Sequence, residues 1–191
     1  EHEGKHPQIF FVSDVLKSLQ DLAQFYRNRF DIPFLWITGS NGKTTSKELI
    51  REVLAKKFRV HATKGNLNNH IGVPLTLLEL PEDTEFAIIE MGANHQGEIR
   101  ELANISLPNY GFITNIGKAH LEGFGGPEGV KKGKKELFDH VIAHNGLLFV
   151  NSSLPHLKEI SNGSKSVEYG KKDCLHHFDI ENREENIFVF I

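Results

Sequence analysis

Phe34-Leu35-Trp36-Ile37-Thr38-Gly39-Ser40-Asn41-Gly42-Lys43-Thr44-Thr45 runs from a short apolar strand through a glycine-rich turn into a helix. That order is the context a Walker A phosphate loop requires. The glycines let backbone N–H groups turn inward around a phosphate, and the helix dipole adds positive potential at the same point. Lys43 supplies a full charge for β- and γ-phosphates, and Thr44 places a hydroxyl for Mg²⁺. Gly39, Ser40, Asn41, Gly42, Lys43, Thr44 and Thr45 are therefore the expected nucleotide contacts, with Mg-ATP as the ligand. The general eight-residue pattern would put glycine at position 37, where this chain has Ile37, so a shorter loop beginning at Gly39 is expected.

Strands and helices alternate outward from this loop. Ser13 to Phe30 has helical apolar spacing, with Ser13 and Asp14 as N-cap candidates and Pro33 as a stop. Helical periodicity returns over Thr44 to Phe58, where Leu49, Ile50, Val53, Leu54 and Phe58 are expected on one apolar face, and again over Val73 to Leu80, Gly97 to Ile105 and Glu128 to His144. Between these lie strands at Arg59 to Thr63, Glu85 to Glu90, Tyr110 to Asn115 and Gly146 to Val150. The alternation predicts an α/β fold: a P-loop-type, mostly parallel sheet with helices on both faces. Lys165 to Ile191 differs, with short β-like runs at Ser166 to Tyr169 and Ile187 to Ile191.

Composition narrows the class of function. The 191 residues suffice for one sizeable core. Twenty-two basic against 25 acidic residues give a formal charge of −3, which offers no electrostatic footprint for nucleic acid or an anionic membrane. The single cysteine, Cys174, cannot build a disulfide framework, which points to a reducing cytoplasm. Cys174, His176 and His177 lack the second cluster a zinc site needs. No apolar run reaches membrane-spanning length, and the polar start from Glu1 to His6 has no signal-peptide core.

In a doubly wound sheet, ligands sit beyond the carboxyl ends of the strands. Glu90 ends an apolar strand and can hold Mg²⁺ directly or through water; the alternative is a solvated strand end. Asn115 ends another strand, with His120 five residues on as a ligand or a surface residue. Lys134 falls inside the apolar arc formed by Val130, Leu137, Phe138, Val141 and Ile142. An ammonium there needs a phosphate or acidic partner, a chemical modification, or a route for its head to reach water. The amides of Gly65 to Gly72 can donate to phosphates or hold a turn.

Thr38 to Thr45 (TGSNGKTT), Gly65 to Leu78 (GNLNNHIGVPLTLL), Glu90 to Ile99 (EMGANHQGEI) and Asn115 to Gly125 (NIGKAHLEGFG) resemble the ATP-binding central domain of the Mur ligases. The phosphate loop with His120 is shared with folylpolyglutamate synthases, whereas NLNNHIGVPLTLL and GANHQGEI point to the D-alanyl-D-alanine-adding branch. The resemblance covers roughly residues 8 to 160. It implies ATP-dependent joining of D-Ala-D-Ala to UDP-MurNAc-tripeptide through an acyl phosphate, in peptidoglycan synthesis. It also implies that Lys43 holds phosphates, that Thr44 and Glu90 bind Mg²⁺, that His120 binds a second metal, and that Lys134 is carried as a carbamate. Asn68 or Asn69 then faces the phosphates, and Asn115 completes the nucleotide set.

On this reading residues 1–33 are the end of an N-terminal domain and a linker helix, and 34–191 an ATP-binding central domain lacking its C-terminal part. The UDP-sugar domain and the C-terminal domain are expected to be absent, leaving a fragment inactive alone. Two other readings are a ligase of the same superfamily with another amino-acid substrate and a P-loop nucleotide module without ligase chemistry. Neither implies a nucleic-acid or membrane partner.

Overall fold

The computed structural model describes residues 9–118, 120–170, 176–177, 179–183 and 186–190. Cys174 lies outside them, as does the polar start of the chain. The elements run α1 (Val15–Arg27), β1 (Phe34–Thr38), α2 (Lys43–Leu54), β2 (Val60–Ala62), α3 (Gly72–Leu78), β3 (Phe86–Glu90), α4 (Glu98–Ser106) and β4 (Tyr110–Ile113). They continue with α5 (Leu121–Phe124), α6 (Pro127–Ala143), β5 (Leu147–Asn151), α7 (Pro155–Ile160), β6 (Ser166–Gly170) and β7 (His176–His177), then β8 (Asp179–Arg183) and β9 (Asn186–Phe190).

Seven strands form one sheet in the order β2-β3-β1-β4-β5-β6-β7, and every pairing in it is parallel. β1 is central, with β3 on one side and β4 on the other. The chain leaves β1 toward β2 and β3 and then crosses to β4, so the strand order reverses at β1. A crevice therefore opens at the carboxyl ends of β1, β3 and β4. The β-like runs of the last stretch divide between two arrangements: β6 joins the parallel sheet, whereas β9 pairs antiparallel with β8 in a separate two-stranded ribbon.

Alternation along each strand builds two cores. Phe34, Trp36, Ala87, Ile89, Ile113, Leu148 and Val150 face one side and pack with α1, α3, α4, α6 and α7. Leu35, Ile37 and Ile88 face the other, where Ile50 and Leu54 of α2 cover them. The parallel sheet thus has helices on both faces, with α2 alone covering the second among the described residues.

The inward face of α2 departs from the apolar stripe expected from sequence. Leu49 and Val53 are exposed, while Lys47 is fully buried. The phosphate loop fixes where α2 starts and how it is rotated, and that tether outweighs side-chain hydropathy. In α1, Val15 and Leu22 are likewise exposed, and Ala23, Tyr26 and Arg27 make the contact.

Arg27 explains the opposite end of the sheet. Its Nε donates to Ser106 O at 2.8 Å, Nη1 to Phe30 O at 2.9 Å and Nη2 to Leu107 O at 2.9 Å. It thereby satisfies carbonyls left open at the C-terminus of α4 and complements the negative end of that helix dipole. Its guanidinium also lies 3.6 Å from the centroid of the Phe34 ring.

His140 near the end of α6 sets an acid limit on the fold. Its Nε2 is buried without a hydrogen-bond partner, and its ring stacks on His144 with centroids 4.2 Å apart. Burial, and secondarily His144, pulls its pKa down to about 4. The folded state thus takes up this proton less readily than the unfolded chain, whose histidine titrates near 6.5. Stability is kept above that pH and lost as pH falls from 6.5 toward 4. We expect the melting temperature to drop across this interval and His140→Leu to flatten the drop, measured by thermal unfolding at stepped pH.

Candidate functional site

At the carboxyl end of β1 the loop starts at Gly39, as the buried Ile37 of β1 requires. Gly39 has φ +148°, and a Cβ there would lie 1.9 Å from Thr114 Oγ1, so only glycine fits. The segment after β4 closes on the loop from the side. Asn115 accepts the Asn41 N–H at 3.1 Å through Oδ1 and donates to Asn41 O at 3.0 Å through Nδ2. Thr114 Oγ1 donates to Asn41 O at 2.7 Å. Ser40 N donates to Asn115 O at 3.1 Å, and the Gly117 N–H donates to Ser40 Oγ at 2.8 Å. Asn115 and Ser40 thus spend their side chains holding the loop in shape.

The loop opens into α2, whose N-cap is Gly42, with no side chain capping the first turn. First-turn N–H groups of a helix have no intrahelical acceptors, so this end is available to an anion. Lys43 Nζ donates to Gly39 O at 2.9 Å, folding the charge back over the loop. Thr44 Oγ1 donates to Glu90 Oε2 at 2.9 Å, and Asn68 Nδ2 donates to Glu90 Oε1 at 2.8 Å. P-loop, β3 and the amide-rich loop therefore meet at one carboxylate.

Glu90 is 1% exposed. Both its oxygens meet neutral donors, and among the described residues neither meets a lysine or arginine in an ion pair. Gly92 allows Asn68 to reach it, since a Cβ at Gly92 would come within 2.8 Å of Asn68 Oδ1. The neighbouring Asn69 does a different job: its Oδ1 accepts the N–H groups of Ile71 and Gly72 and starts α3. Of the two amides the sequence left open, Asn68 is the one drawn to Glu90.

A cavity of about 510 Å³ adjoins this point, lined among others by Gly39, Lys43, Asn68, Glu98, His120 and Lys134. Lys134 is 2% exposed, with the Phe124 ring centroid 5.4 Å from its Nζ. Burial, and secondarily the nearby Lys43, lowers its pKa to about 8; Glu98 and Glu136 oppose that shift without reversing it. Two ammonium groups that repel one another across a cavity form a place for an anion. His120 is exposed, at φ +52° on the loop that enters α5. Among the described residues no three of His, Cys, Asp and Glu converge as a metal cage. A magnesium bound through one carboxylate and substrate phosphates needs no such cage.

The N-terminus of α4, also beside the cavity, is plugged by carboxylates. Glu98 Oε2 accepts the Asn94 N–H at 2.7 Å. From α6, Glu136 accepts the Gly97 N–H at 2.7 Å and the Arg100 N–H at 3.0 Å.

Two residues escape a reading of the sequence. Lys47, one turn after Thr44, donates through Nζ to Thr63 O and pairs with Glu48 at 3.0 Å. Thr63, just past β2, accepts the Glu90 N–H at 2.9 Å through Oγ1. The spacing of Thr44 and Lys47 places them on one helix face, which is a usable signal. Nothing in the sequence marks Thr63.

The family model described as Mur ligase middle domain matches residues 37–189, which contain this whole arrangement. The chain belongs to the Mur ligase middle-domain family. As such a middle domain it is 37% identical over 177 residues to the UDP-N-acetylmuramoyl-tripeptide–D-alanyl-D-alanine ligase of Bacillus subtilis, covering 93% of this chain and 39% of the relative. It is 48% identical over 137 residues to the enzyme of the same name from Synechocystis sp., covering 72% of this chain and 30% of the relative. The crystal structure of MurF ligase from Thermotoga maritima in complex with ADP superposes with a TM-score of 0.87 at 30% identity, covering 99% of this chain and 44% of that one. This Mur ligase middle domain thus spans less than half the length of each of these relatives. No helix among its described residues is long and apolar enough to cross a membrane.

Proposed function

We propose that this chain is the ATP-handling domain of a ligase that joins D-Ala-D-Ala to UDP-MurNAc-tripeptide in peptidoglycan synthesis. In this reading residues 34–191 are the nucleotide domain and residues 1–33 a connecting segment. The observation that carries the reading is Glu90: a buried carboxylate without a cationic partner among the described residues, gripped by the P-loop threonine. Burying an uncompensated carboxylate is costly, and a divalent cation removes that cost. The names of the relatives supply the substrates, and the ADP bound by the Thermotoga ligase supports the nucleotide.

The first-turn N–H groups of α2 and Lys43 receive the β- and γ-phosphates, Lys43 exchanging its bond to Gly39 O for one to phosphate. Thr44 and Glu90 would hold Mg²⁺, and His120 would hold a second ion; when bound, the metal would supply charge neutralisation for phosphoryl transfer. The tripeptide carboxylate attacks the γ-phosphorus, ADP leaves and an acyl phosphate forms. The D-Ala-D-Ala amine then attacks the acyl carbon; phosphate departs, and the nitrogen loses a proton. Lys134 has a second role available. With its pKa lowered to about 8, a usable fraction is neutral amine at physiological pH, and that amine can add CO₂ and release a proton, giving a carbamate. Such a group would replace a buried cation with an anion lining the cavity.

Calorimetric titration of the chain with ATP, with and without Mg²⁺, tests the assignment. Binding should strengthen with Mg²⁺, and Glu90→Gln should erase most of that gain, at least ~10-fold, while leaving Mg²⁺-free binding in place. An unchanged gain in Glu90→Gln would leave a phosphate-binding module without the metal site that ligase chemistry needs.

A further inference from the structure

We infer that Lys47 and Thr63 are positioning residues for Glu90, forming a main-chain brace that sets where its carboxylate meets the phosphate loop. The inference rests on Glu90 being the metal-binding carboxylate proposed above.

β2 ends at Ala62, while β3 continues to Glu90. Ladder bonding is carried one step further by the Thr63 N–H, which donates to Ile88 O at 3.0 Å. Past that point no β2 carbonyl remains for the Glu90 N–H, which sits in the core. Thr63 Oγ1 takes it instead, at 2.9 Å, so a side chain substitutes for the missing strand. Thr63 is itself 1% exposed, so no water competes for the bond.

Thr63 needs fixing in turn. Its carbonyl accepts from Lys47 Nζ, which is fully buried and whose charge is balanced by Glu48. A lysine with no exposed surface loses its hydration and needs specific hydrogen bonds to be tolerated. Here they tie α2 to the end of β2. Thr44 and Lys47 lie three residues apart on the same face of α2. One helix therefore holds Glu90 twice: through Thr44 at the carboxylate, and through Lys47 and Thr63 at the backbone. Rotation or sliding of β3 against α2 would break both holds together. Neither Lys47 nor Thr63 lines the cavity that holds Lys43 and Lys134, so they act through Glu90 and not on a ligand.

The test compares ATP affinity with saturating Mg²⁺ and with EDTA for Thr63→Val, Thr63→Ser, Lys47→Met and Glu90→Gln. Thr63→Val keeps shape and removes the acceptor. We expect it and Lys47→Met to lose ~10-fold or more of the Mg²⁺-dependent gain with Mg²⁺-free affinity unchanged, the size seen for residues that orient metal ligands. Thr63→Ser, which keeps the hydroxyl, should restore the gain. A residue with a merely structural role would lower both affinities together or neither, and Thr63→Ser would then behave like Thr63→Val. If Thr63→Val retains the gain while Glu90→Gln loses it, the brace is refuted and the metal-site assignment stands. If Glu90→Gln retains it, or the unsubstituted chain shows none, both fall. Should Lys47→Met fail to fold, the valine and serine pair at Thr63 decides.

Discussion

Lys43→Ala is expected to reduce nucleotide affinity by on the order of 100-fold, about 3 kcal/mol, the cost of deleting one partner of a desolvated charge pair. The fold should survive. Among the described residues the side chain hydrogen-bonds only to Gly39 O, four residues back, so no long-range contact is lost there. The loop keeps its shape through Thr114, Asn115 and Gly117, which do not involve Lys43. An unchanged melting temperature beside a lost calorimetric signal is the expected pair of results. Equal affinity in the variant would remove the phosphate-loop assignment.

Lys134→Met, by contrast, should raise stability. The ordinary lysine pKa of 10.5 is lowered to about 8 by burial and by Lys43. The folded state therefore releases this proton more easily than the unfolded chain. The stability deficit is complete below pH 8 and relieved as pH rises through 8 to 10.5. That lowering corresponds to about 3 kcal/mol at pH 7. Replacement by the apolar methionine, which matches the stem, should recover most of that at pH 7 and almost none at pH 10.5. Chemical denaturation at the two pH values measures the difference. A gain of the same size at both would mean that packing, and not charge, governs this position. The same substitution should abolish any ligase activity the domain supports, since the cavity loses the Lys134 amine and with it the group that would carry the proposed carbamate.

Much of this was legible because the sequence patterns are strong. Strand, loop and helix around Gly39 to Thr45 carry a backbone requirement that few sequences meet. Lys134 stood out because 100° per residue placed a cation among Val130, Leu137, Phe138 and Val141, and it is buried beside them. Other features depend on contacts across the fold. The rotation of α2 is set by the loop it hangs from, so Leu49 and Val53, apolar and well spaced, end up in solvent while Lys47 does not. The division of labour between Asn68 and Asn69 follows from which one lies opposite Gly92 and which one starts α3. Thr63 matters only because β2 stops two residues sooner than β3, a length difference that no local pattern records.

The carboxylates at the start of α4 bear on what can enter the cavity. Two helices present their positive ends there, and Glu98 and Glu136 have already occupied one of them with negative charge supplied by the chain itself. A polyanion arriving from solvent therefore finds the start of α2 open to it and the start of α4 already taken by carboxylates. If the domain handles ATP as proposed, its phosphates are drawn to the start of α2 and turned away from the start of α4 before any contact with base or sugar is made.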